Sequence, residues 1–311
     1  MRRRSDRPDE QSILRAYERY KEIIPDWEGF LAALARPVPH HIRVNTLKTT
    51  PEKLQRRLEQ LGARVTVEPL NPLVFRLDGL NSVGRQIEYH LGLYHPQGLT
   101  STFPALVLDP QPGEFVLDMA ASPGGKTTQM AAQMQNTGHI VANDVTVERV
   151  GYLKSNLERL GVLNTSTRVG PAQQIPKHQR FDRVLLDAPC SGLGAWRSGL
   201  PPPMGRFANQ VERMSRIQQH MILRAFDVLK SGGTLVYSTC TLAPEENERV
   251  VQWLLDKRPG ATLLPFELGP ALPGLTEWQN EQFDETLTLA RRYYPHKLDS
   301  WGFFIAAIGK S

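Results

Sequence analysis

Apolar positions in the first third of the chain first follow helical spacing and then alternate. Between residues 10 and 35 they recur three or four positions apart, which predicts helical structure interrupted at Pro25. The pattern that follows predicts, in chain order, a strand at 41–45, a helix at 51–61 and strands at 65–67 and 74–77. This order predicts a small α+β domain over residues 1–90.

From about residue 100, short apolar runs alternate with longer amphipathic segments. The apolar runs predict strands at 115–118, 139–143, 166–169, 183–187, 234–238 and 303–308. The intervening segments predict helices at 126–135, 146–160, 211–229 and 245–257. Strands and helices that alternate in this way build a mostly parallel sheet with helices on both faces. Residues 91–311 are therefore predicted to form an α/β, Rossmann-like domain.

The composition limits the class of protein and the cellular compartment that we expect. Hydrophobic residues make up 40% and charged residues 22% of the 311 residues, which is typical of a globular protein. No apolar run is long enough to cross a membrane, and the basic residues 2–4 lead into a polar segment rather than an apolar signal core. We therefore expect a cytoplasmic protein without membrane association and, because the compartment is reducing, with free cysteines.

The formal net charge of +5 favours an acidic partner such as nucleic acid. The predicted first domain contributes a basic cluster, namely Arg43, Lys48, Lys53, Arg56, Arg57 and Arg64. This cluster is either a solvated charged face or a surface that grips RNA, and the sequence leaves both open.

The two cysteines of the chain each follow a predicted strand. Cys190 lies in Asp187-Ala188-Pro189-Cys190, and Cys240 lies in Ser238-Thr239-Cys240. In open α/β sheets, ligands bind at the carboxyl ends of the strands. Thiols at this edge are more often chemical than structural, so both cysteines are candidates for covalent attack on a substrate.

A glycine-rich turn follows the first strand of the predicted domain and opens the next helix. The turn comprises Met119, Ala120, Ala121, Ser122, Pro123, Gly124, Gly125 and Lys126. Ala120 occupies the place of the first glycine of a phosphate-binding loop, and the dinucleotide pattern G-x-G-x-x-G is absent. The third possibility is a nucleoside cofactor without phosphates, such as S-adenosylmethionine. Asp144, after the next strand, would then accept hydrogen bonds from the ribose hydroxyls. A structural role for Asp144 as a helix N-cap is also possible.

Methylation of cytosine at C5 would use such a cofactor together with a thiolate. Cytosine is a poor nucleophile at C5, but addition of a thiolate to C6 makes C5 resemble an enamine carbon. A group that hydrogen-bonds N3 and the exocyclic amine helps the ring accept electrons, and Asp187 could do this if it is protonated or shared. Spacing alone does not say which cysteine attacks.

Four strings in combination resemble the Nol/Nop/Sun family of RNA 5-methylcytosine methyltransferases. They are SPGGKT (122–127), LLDAPCSGLG (185–194), KSGGTLVYSTCTLAPEENE (230–248) and RRYYPHKLDSWGFF (291–304). The resemblance spans residues 40–308. It implies a class I methyltransferase domain with a mostly parallel seven-stranded sheet behind a small N-terminal domain, with S-adenosylmethionine as cofactor and RNA as partner. The sequence does not distinguish rRNA from tRNA, and rRNA is slightly preferred. No metal site is expected.

The resemblance also implies roles for individual residues. Cys240 would be the nucleophile and Cys190 would assist product release, while Asp187 would contact the target base and border the cofactor. Lys126 would reach the cofactor or the base, and Asp144 would bind the ribose. Arg197 would lie in a loop that faces RNA. Separately from the resemblance, a flipped or unpaired target base is expected to stack on an aromatic ring, and the candidates are Tyr89, Tyr94, Trp196 and Phe207.

Departures from the family pattern keep alternatives open. Ser122 replaces a usual alanine, no acid follows Val169 where many members place one near the adenine, and the segment 199–204 is unusual. A DNA cytosine-5 methyltransferase would use Cys190 as the nucleophile. A binding or assembly factor with a decayed cofactor site is the third possibility.

Overall fold

The computed structural model of the chain describes residues 10–80, 82–178, 180–197 and 207–311. The unusual segment 199–204 and the basic residues 2–4 lie outside the described residues. The helices are α1 (Glu10–Glu18), α2 (Trp27–Leu34), α3 (Pro51–Gln60), α4 (Ile87–His90), α5 (Leu99–Leu108), α6 (Gly125–Gln133), α7 (Val147–Leu160), α8 (Phe207–Asp227), α9 (Glu248–Lys257) and α10 (Pro295–Leu298).

The strands divide between a large and a small sheet and one isolated hairpin. They are β1 (His40–Val44), β2 (Arg64–Val67), β3 (Val74–Asp78), β4 (Tyr94–Pro96), β5 (Phe115–Asp118), β6 (His139–Asp144), β7 (Thr165–Val169), β8 (Phe181–Asp187), β9 (Leu229–Thr239), β10 (Ala261–Leu264), β11 (Leu272–Pro273), β12 (Glu277–Trp278), β13 (Glu281–Gln282), β14 (Arg291–Tyr293) and β15 (Phe303–Lys310).

The large sheet has the order β11-β14-β15-β9-β8-β5-β6-β7, with β10 also paired to β15. The strands from β9 to β7 are parallel, and β15 runs antiparallel between β9 and β10. Seven strands make up the predicted sheet, and the short strands β11 and β14 extend its edge to nine in the described part of the chain. The predicted Rossmann-like fold is confirmed.

The order of the strands decides where a ligand can bind. The order in which strands are added to the sheet reverses between β5 and β8, which are parallel neighbours although β6 and β7 separate them in sequence. At such a point of an open α/β sheet, ligands bind in a crevice beyond the carboxyl ends of the strands. The glycine-rich turn follows β5, and the loop that carries Cys190 follows β8.

The small sheet is antiparallel with the order β2-β3-β1-β4. Helix α3 packs on it through Leu54 and Leu58, and Thr50 caps the helix by accepting the backbone N–H of Lys53. Because β4 pairs with β1, this sheet extends past the boundary predicted at residue 90.

Helices α1 and α2 do not belong to the core of the small sheet. Their buried residues Tyr17 and Phe30 pack into the core of the large sheet. The hydroxyl of Tyr17 donates to the carbonyl of Leu193 in the loop after β8. The predicted front domain is therefore split, since its first two helices support the site-bearing half of the protein.

Helix α5 was not predicted from the sequence. It is apolar on nearly all sides, contains Pro104 and begins after Gly98 without a side-chain cap. Such a segment shows neither amphipathic periodicity nor a start signal, because it is buried between the sheet and neighbouring elements. None of the helices within the described ranges has both the length and the apolar character needed to cross a bilayer.

Candidate active site

A cavity of about 340 Å³ opens at the carboxyl ends of β5 and β8. The glycine-rich turn forms one wall of this active-site cavity. The opposite wall comes from the loops after β8 and β9 and from the start of β15. The lining includes His95, Gln97, Ser101, Asp118, Ala120, Lys126, Asp187, Cys240, Trp301 and Phe303. The strand order thus brings together residues that lie far apart in sequence.

Lys126 and Asp187 form an ion pair within this cavity. The Nζ atom of Lys126 lies 2.7 Å from Oδ2 of Asp187 and 3.1 Å from Oγ of Ser101. The hydroxyl of Ser238 donates to the other carboxylate oxygen at 2.7 Å. Both oxygens of Asp187 are therefore engaged, which holds the carboxylate in one orientation at the cavity wall.

The two cysteines meet across the loops after β8 and β9. Their Sγ atoms lie 3.3 Å apart. The hydrogen bond to Cys240, together with burial, raises the pKa of the Cys190 thiol well above its usual value. In the described part of the chain, Cys240 is the cysteine that lines the cavity, with the Cys190 sulfur at its side.

Two buried carboxyl groups lie beside this arrangement. Burial raises the pKa of Asp118, with the charge of Asp187 adding to the effect, to about 7, although Thr127 donates to its Oδ2 at 2.7 Å. Burial likewise raises the pKa of Glu246 to about 7. Glu246 Oε2 accepts from the Ser191 backbone N–H, next to Cys190, and from Gln218, both at 2.9 Å.

The glycine-rich turn is shaped by its glycines. Gly124 has a φ of 107°, in the left-handed region that disfavours side chains, and an added Cβ would lie 3.0 Å from Leu153. Gly125 begins α6 beside His95 and Gln97. Met119 and Ala121 are buried, and the carbonyl of Pro123 accepts from Asn156.

A second cavity, of about 330 Å³, adjoins the first and shares Ala120 with it. It lies over the ends of β6 and β7 and has apolar walls from Met119, Pro189 and Met221. Asp144 lines it, accepts the Ser122 backbone N–H at 2.9 Å and pairs with Arg149 at 2.6 Å.

The alternative of Asp144 as a helix cap is wrong, because Thr146 is the N-cap residue of α7 and its hydroxyl accepts the backbone N–H of Arg149. The segment 170–173, which lacks the acid found in many family members, contributes Gln173 to the second cavity. A side-chain amide is therefore present where many family members place the acid.

The structure contradicts the predicted role of Arg197. Its side chain is fully buried, pairs with Asp299 at 2.8 Å and donates to the carbonyls of Pro295 and Ser300. A guanidinium enclosed in this way ties the loop after β8 to the C-terminal segment and does not face RNA. Tyr94 and Trp196 are also buried, so their rings do not face RNA. The side chain of Phe207 lies outside the described residues.

The six basic residues of the predicted first domain differ in burial and in their partners. Arg43 is buried and donates to Thr128 Oγ1 at 2.9 Å, and Arg57 pairs with Glu88 at 3.1 Å. Lys48 donates to the carbonyls of Leu91 and Arg159. Lys53, Arg56 and Arg64 are exposed.

Several residues of the site carried no signal in the sequence. His95 comes from β4, Gln97 from the segment after it and Ser101 from α5, and neither β4 nor α5 was predicted. Trp301 and Phe303 lie within the C-terminal string that carried the family resemblance, and this string could have pointed to them. Burial lowers the pKa of His95 to about 3, so the imidazole is neutral near pH 7. Within the described ranges, no cluster of three acidic, histidine or cysteine side chains could hold a metal ion.

The strand order, the glycine-rich turn and the paired cavities at the β5–β8 edge define a class I methyltransferase fold. Residues 105–309 match the family model described as 16S rRNA methyltransferase RsmB/F, and residues 16–84 match its ferredoxin-like domain. The chain belongs to this family, and the predicted resemblance is confirmed.

Relatives agree with this assignment. The tRNA (cytosine(49)-C(5))-methyltransferase of Pyrococcus abyssi is 39% identical, over 94% of this chain and 94% of that protein. The mouse 28S rRNA (cytosine-C(5))-methyltransferase is 40% identical over 90% of this chain, which spans 36% of the mouse protein.

Solved structures agree as well. A methyltransferase homolog protein of Pyrococcus horikoshii has a TM-score of 0.86 at 37% identity, covering 97% of this chain and 98% of that one. NSun6 of the same organism, solved with SFG, has a TM-score of 0.83 at 26% identity, covering 98% of this chain and 99% of that one.

Proposed function

We propose that this protein transfers a methyl group from S-adenosylmethionine to C5 of a cytosine in RNA, with Cys240 as the nucleophile. The observation that carries the proposal is the position of Cys240. It lines one cavity with the Lys126–Asp187 pair, and that cavity adjoins a second one lined by Asp144.

The residues of the second cavity fit the cofactor. Asp144 offers carboxylate oxygens to ribose hydroxyls, and Met119, Pro189 and Met221 form walls suited to a flat purine. The turn at Ala120 and Gly125 leaves room for the methionine part. When bound, S-adenosylmethionine supplies an electrophilic methyl group.

Cys240 acts first on the flipped or unpaired base. Its thiolate adds to C6, a bond forms between Sγ and C6, and the electron pair of the C5–C6 bond becomes available at C5. Asp187, held by Lys126 and Ser238, accepts from the exocyclic amine and keeps the ring oriented. After C5 has been methylated, its proton passes to water, and the electrons of the C5–H bond expel the Cys240 thiolate.

Cys190 assists this last step. Its raised pKa keeps it a thiol near neutral pH, and its sulfur lies 3.3 Å from that of Cys240. A thiol in this place can donate a hydrogen bond to the departing sulfur and stabilise it as a leaving group.

We propose rRNA as the substrate class, with tRNA as the second candidate. The family description names 16S rRNA, which favours rRNA as the substrate. A tRNA is the second candidate, because the P. abyssi relative, which this chain matches over nearly its full length, is named for a tRNA cytosine. Neither name supports the alternative of a DNA cytosine-5 methyltransferase.

Substitution of each cysteine tests the proposal. With tritiated S-adenosylmethionine and RNA from cells lacking the enzyme, Cys240→Ala should abolish methyl transfer. Cys190→Ala should retain attack but slow elimination, so that an RNA–protein adduct survives denaturing electrophoresis, and the double variant should form none.

Two other results would contradict this mechanism. Full activity of Cys240→Ala combined with loss of activity in Cys190→Ala would point to the mechanism of the DNA enzymes. Absence of transfer by the wild-type protein to both rRNA and tRNA would favour a non-catalytic binding factor.

A further inference from the structure

The active-site cavity continues into a groove between the small sheet and the C-terminal segment. A cavity of about 410 Å³ shares Pro96, Gln97, Gly98 and Trp301 with it. A further cavity of about 320 Å³ shares the segment 37–40 with that one and ends beside Arg36 and Arg76. We call these two cavities together the Trp301 groove.

Trp301 lies where the groove meets the active-site cavity and lines both. The indole is half-buried and packs against the backbone of Gly98. A Cβ at residue 98 would lie 2.6 Å from Cδ1 and 2.7 Å from Nε1 of the indole. Glycine at position 98 therefore permits the ring to occupy this junction.

The floor of the junction contains an unused hydrogen-bond acceptor. Gln97 is buried, and its Nε2 donates to the Ser101 carbonyl and to Gln129. Its Oε1 has no partner among the described residues. Beyond this point Pro37, Pro39 and Pro96 supply flat apolar walls. A hydroxyl or amino donor on a ligand with flat rings would satisfy both features.

The far end of the groove carries surplus positive charge. Two carboxylates, Asp78 and Asp299, line it, but each has an arginine partner from outside the groove lining. Arg64 lies 3.2 Å from Asp78, and the buried Arg197 lies 2.8 Å from Asp299.

Two arginines remain to meet a ligand at this end. Arg36 is exposed, and Arg76 contacts Asp299 only at 3.5 Å, with 40% of its side chain exposed. The groove thus combines an aromatic ring at one end with two cations at the other.

We propose that the Trp301 groove binds the single-stranded RNA segment that flanks the target cytosine. The neighbouring base stacks on Trp301, and Arg36 and Arg76 bind phosphates further along the strand. This proposal rests on the proposed function. An aromatic platform followed by cations is the pattern by which proteins hold unpaired strands. A duplex does not fit it, because duplex bases are stacked on one another.

Stacking is tested by anisotropy of a short fluorescein-labelled oligocytidylate with the full chain. Trp301→Ala should weaken binding by about tenfold, and Trp301→Phe should restore most of it because a ring remains. Gly98→Ala should weaken binding by displacing the indole. Trp253→Ala, at a half-buried indole on α9 that stands beside Lys257, is the matched control and should bind like wild type.

The charge at the far end is tested by the dependence of affinity on salt. Each phosphate that a variant no longer binds should reduce the slope of log K against log salt by about 0.7. Arg36→Ala should bind one phosphate fewer than wild type, and Arg36→Ala/Arg76→Ala two fewer. Lys53→Ala/Arg56→Ala, on the exposed face of α3, is the control and should keep the wild-type slope. A reduced slope in this control alone would place the strand on α3 and overturn the groove.

The methyl-transfer assay separates failure of the groove from failure of the function. If wild-type protein methylates RNA through Cys240 while the groove variants bind oligocytidylate normally, the groove proposal is overturned and the function stands. A protein would then be the remaining candidate ligand for the groove. If wild-type protein neither binds the oligonucleotide nor methylates RNA, both proposals are overturned.

Discussion

At the scale of single residues, the site depends on buried groups whose charge state the fold controls. Cys190, Asp118 and Glu246 all have a pKa raised by their surroundings, whereas His95 is held neutral. Glu246 is fully buried and its Oε1 has no partner among the described residues. Folding therefore favours the protonated form of this carboxyl group.

This preference makes stability depend on pH. Burial raises the pKa of Glu246 from 4.5 to about 7, so between these values the folded protein binds more protons than the unfolded chain. Its contribution is present below about pH 4.5 and is lost as the pH rises through 7. Glu246→Gln does not titrate, so its melting temperature relative to wild type should rise between about pH 5 and pH 8. The free-energy change should be on the order of 3 kcal/mol.

Thermal melts across this pH range, with exposed Glu285→Gln as control, measure the effect. The control should follow wild type at every pH. A difference between Glu246→Gln and wild type that stays constant with pH would show that the carboxyl group does not titrate in this range.

At the scale of elements, the loops after β8 and β9 hold the cysteines together through backbone contacts. The N–H of Gly194 donates to the carbonyl of Cys240 at 2.8 Å, and the N–H of Gly302 donates to the carbonyl of Gly194 at 2.7 Å. A Cβ at residue 194 would lie 2.6 Å from the Gly302 oxygen and 2.9 Å from the Cys240 oxygen. Both neighbours are backbone atoms and cannot easily yield.

Gly194→Ala should therefore push the two loops apart. We expect a loss of about 1–3 kcal/mol in the free energy of unfolding, the usual cost of overpacking. Methyl transfer should fall at least about tenfold, because a displacement of the reacting groups of about 1 Å has large effects. Denaturant unfolding and the tritium assay measure the two changes.

Gly151→Ala is the matched control for this substitution. A Cβ at residue 151 meets nothing within 4 Å, and the residue lies inside α7. The control should gain about 0.5–1 kcal/mol of stability and keep its activity. Equal behaviour of the two alanine variants would contradict the packing argument.

At the scale of the whole molecule, the small sheet and the large sheet are joined by buried hydrogen bonds. Asn45 Nδ2 donates to the carbonyls of Gly92 and Leu160, each at 2.8 Å. Arg43 reaches Thr128 on α6, and Arg159 donates to carbonyls of Tyr89 and Tyr94. Since α1 and α2 also belong to the large core, neither half is complete without the other.

Calorimetry should therefore show one unfolding transition for the full chain. Asn45→Ala leaves two buried carbonyls without a partner and should lower the free energy of unfolding by about 1–3 kcal/mol while the transition stays single. Exposed Lys53→Ala should melt like wild type. Two resolved transitions would contradict the joint core. Deletion of residues 1–90 would be a poor test of RNA binding, because it cuts between β3 and β4 and exposes the core that α1 and α2 cover.

The alternation of strands and helices between residues 115 and 257, the turn at 119–126 and both cysteine loops are predictable from the sequence alone. These features are local, since they depend on apolar periodicity and on residue types at strand ends. The sequence also carries the family resemblance, because four separated strings together are specific.

Which side chains face the cavity depends instead on how distant segments of the chain pack together. Arg197 is enclosed by the C-terminal segment, and Trp301 lies where the groove meets the active-site cavity. Ser101, on α5, contacts Lys126. The distance between Cys190 and Cys240 likewise depends on the pairing of β8 with β9. These outcomes depend on contacts between residues far apart in sequence, and local residue patterns do not encode such contacts.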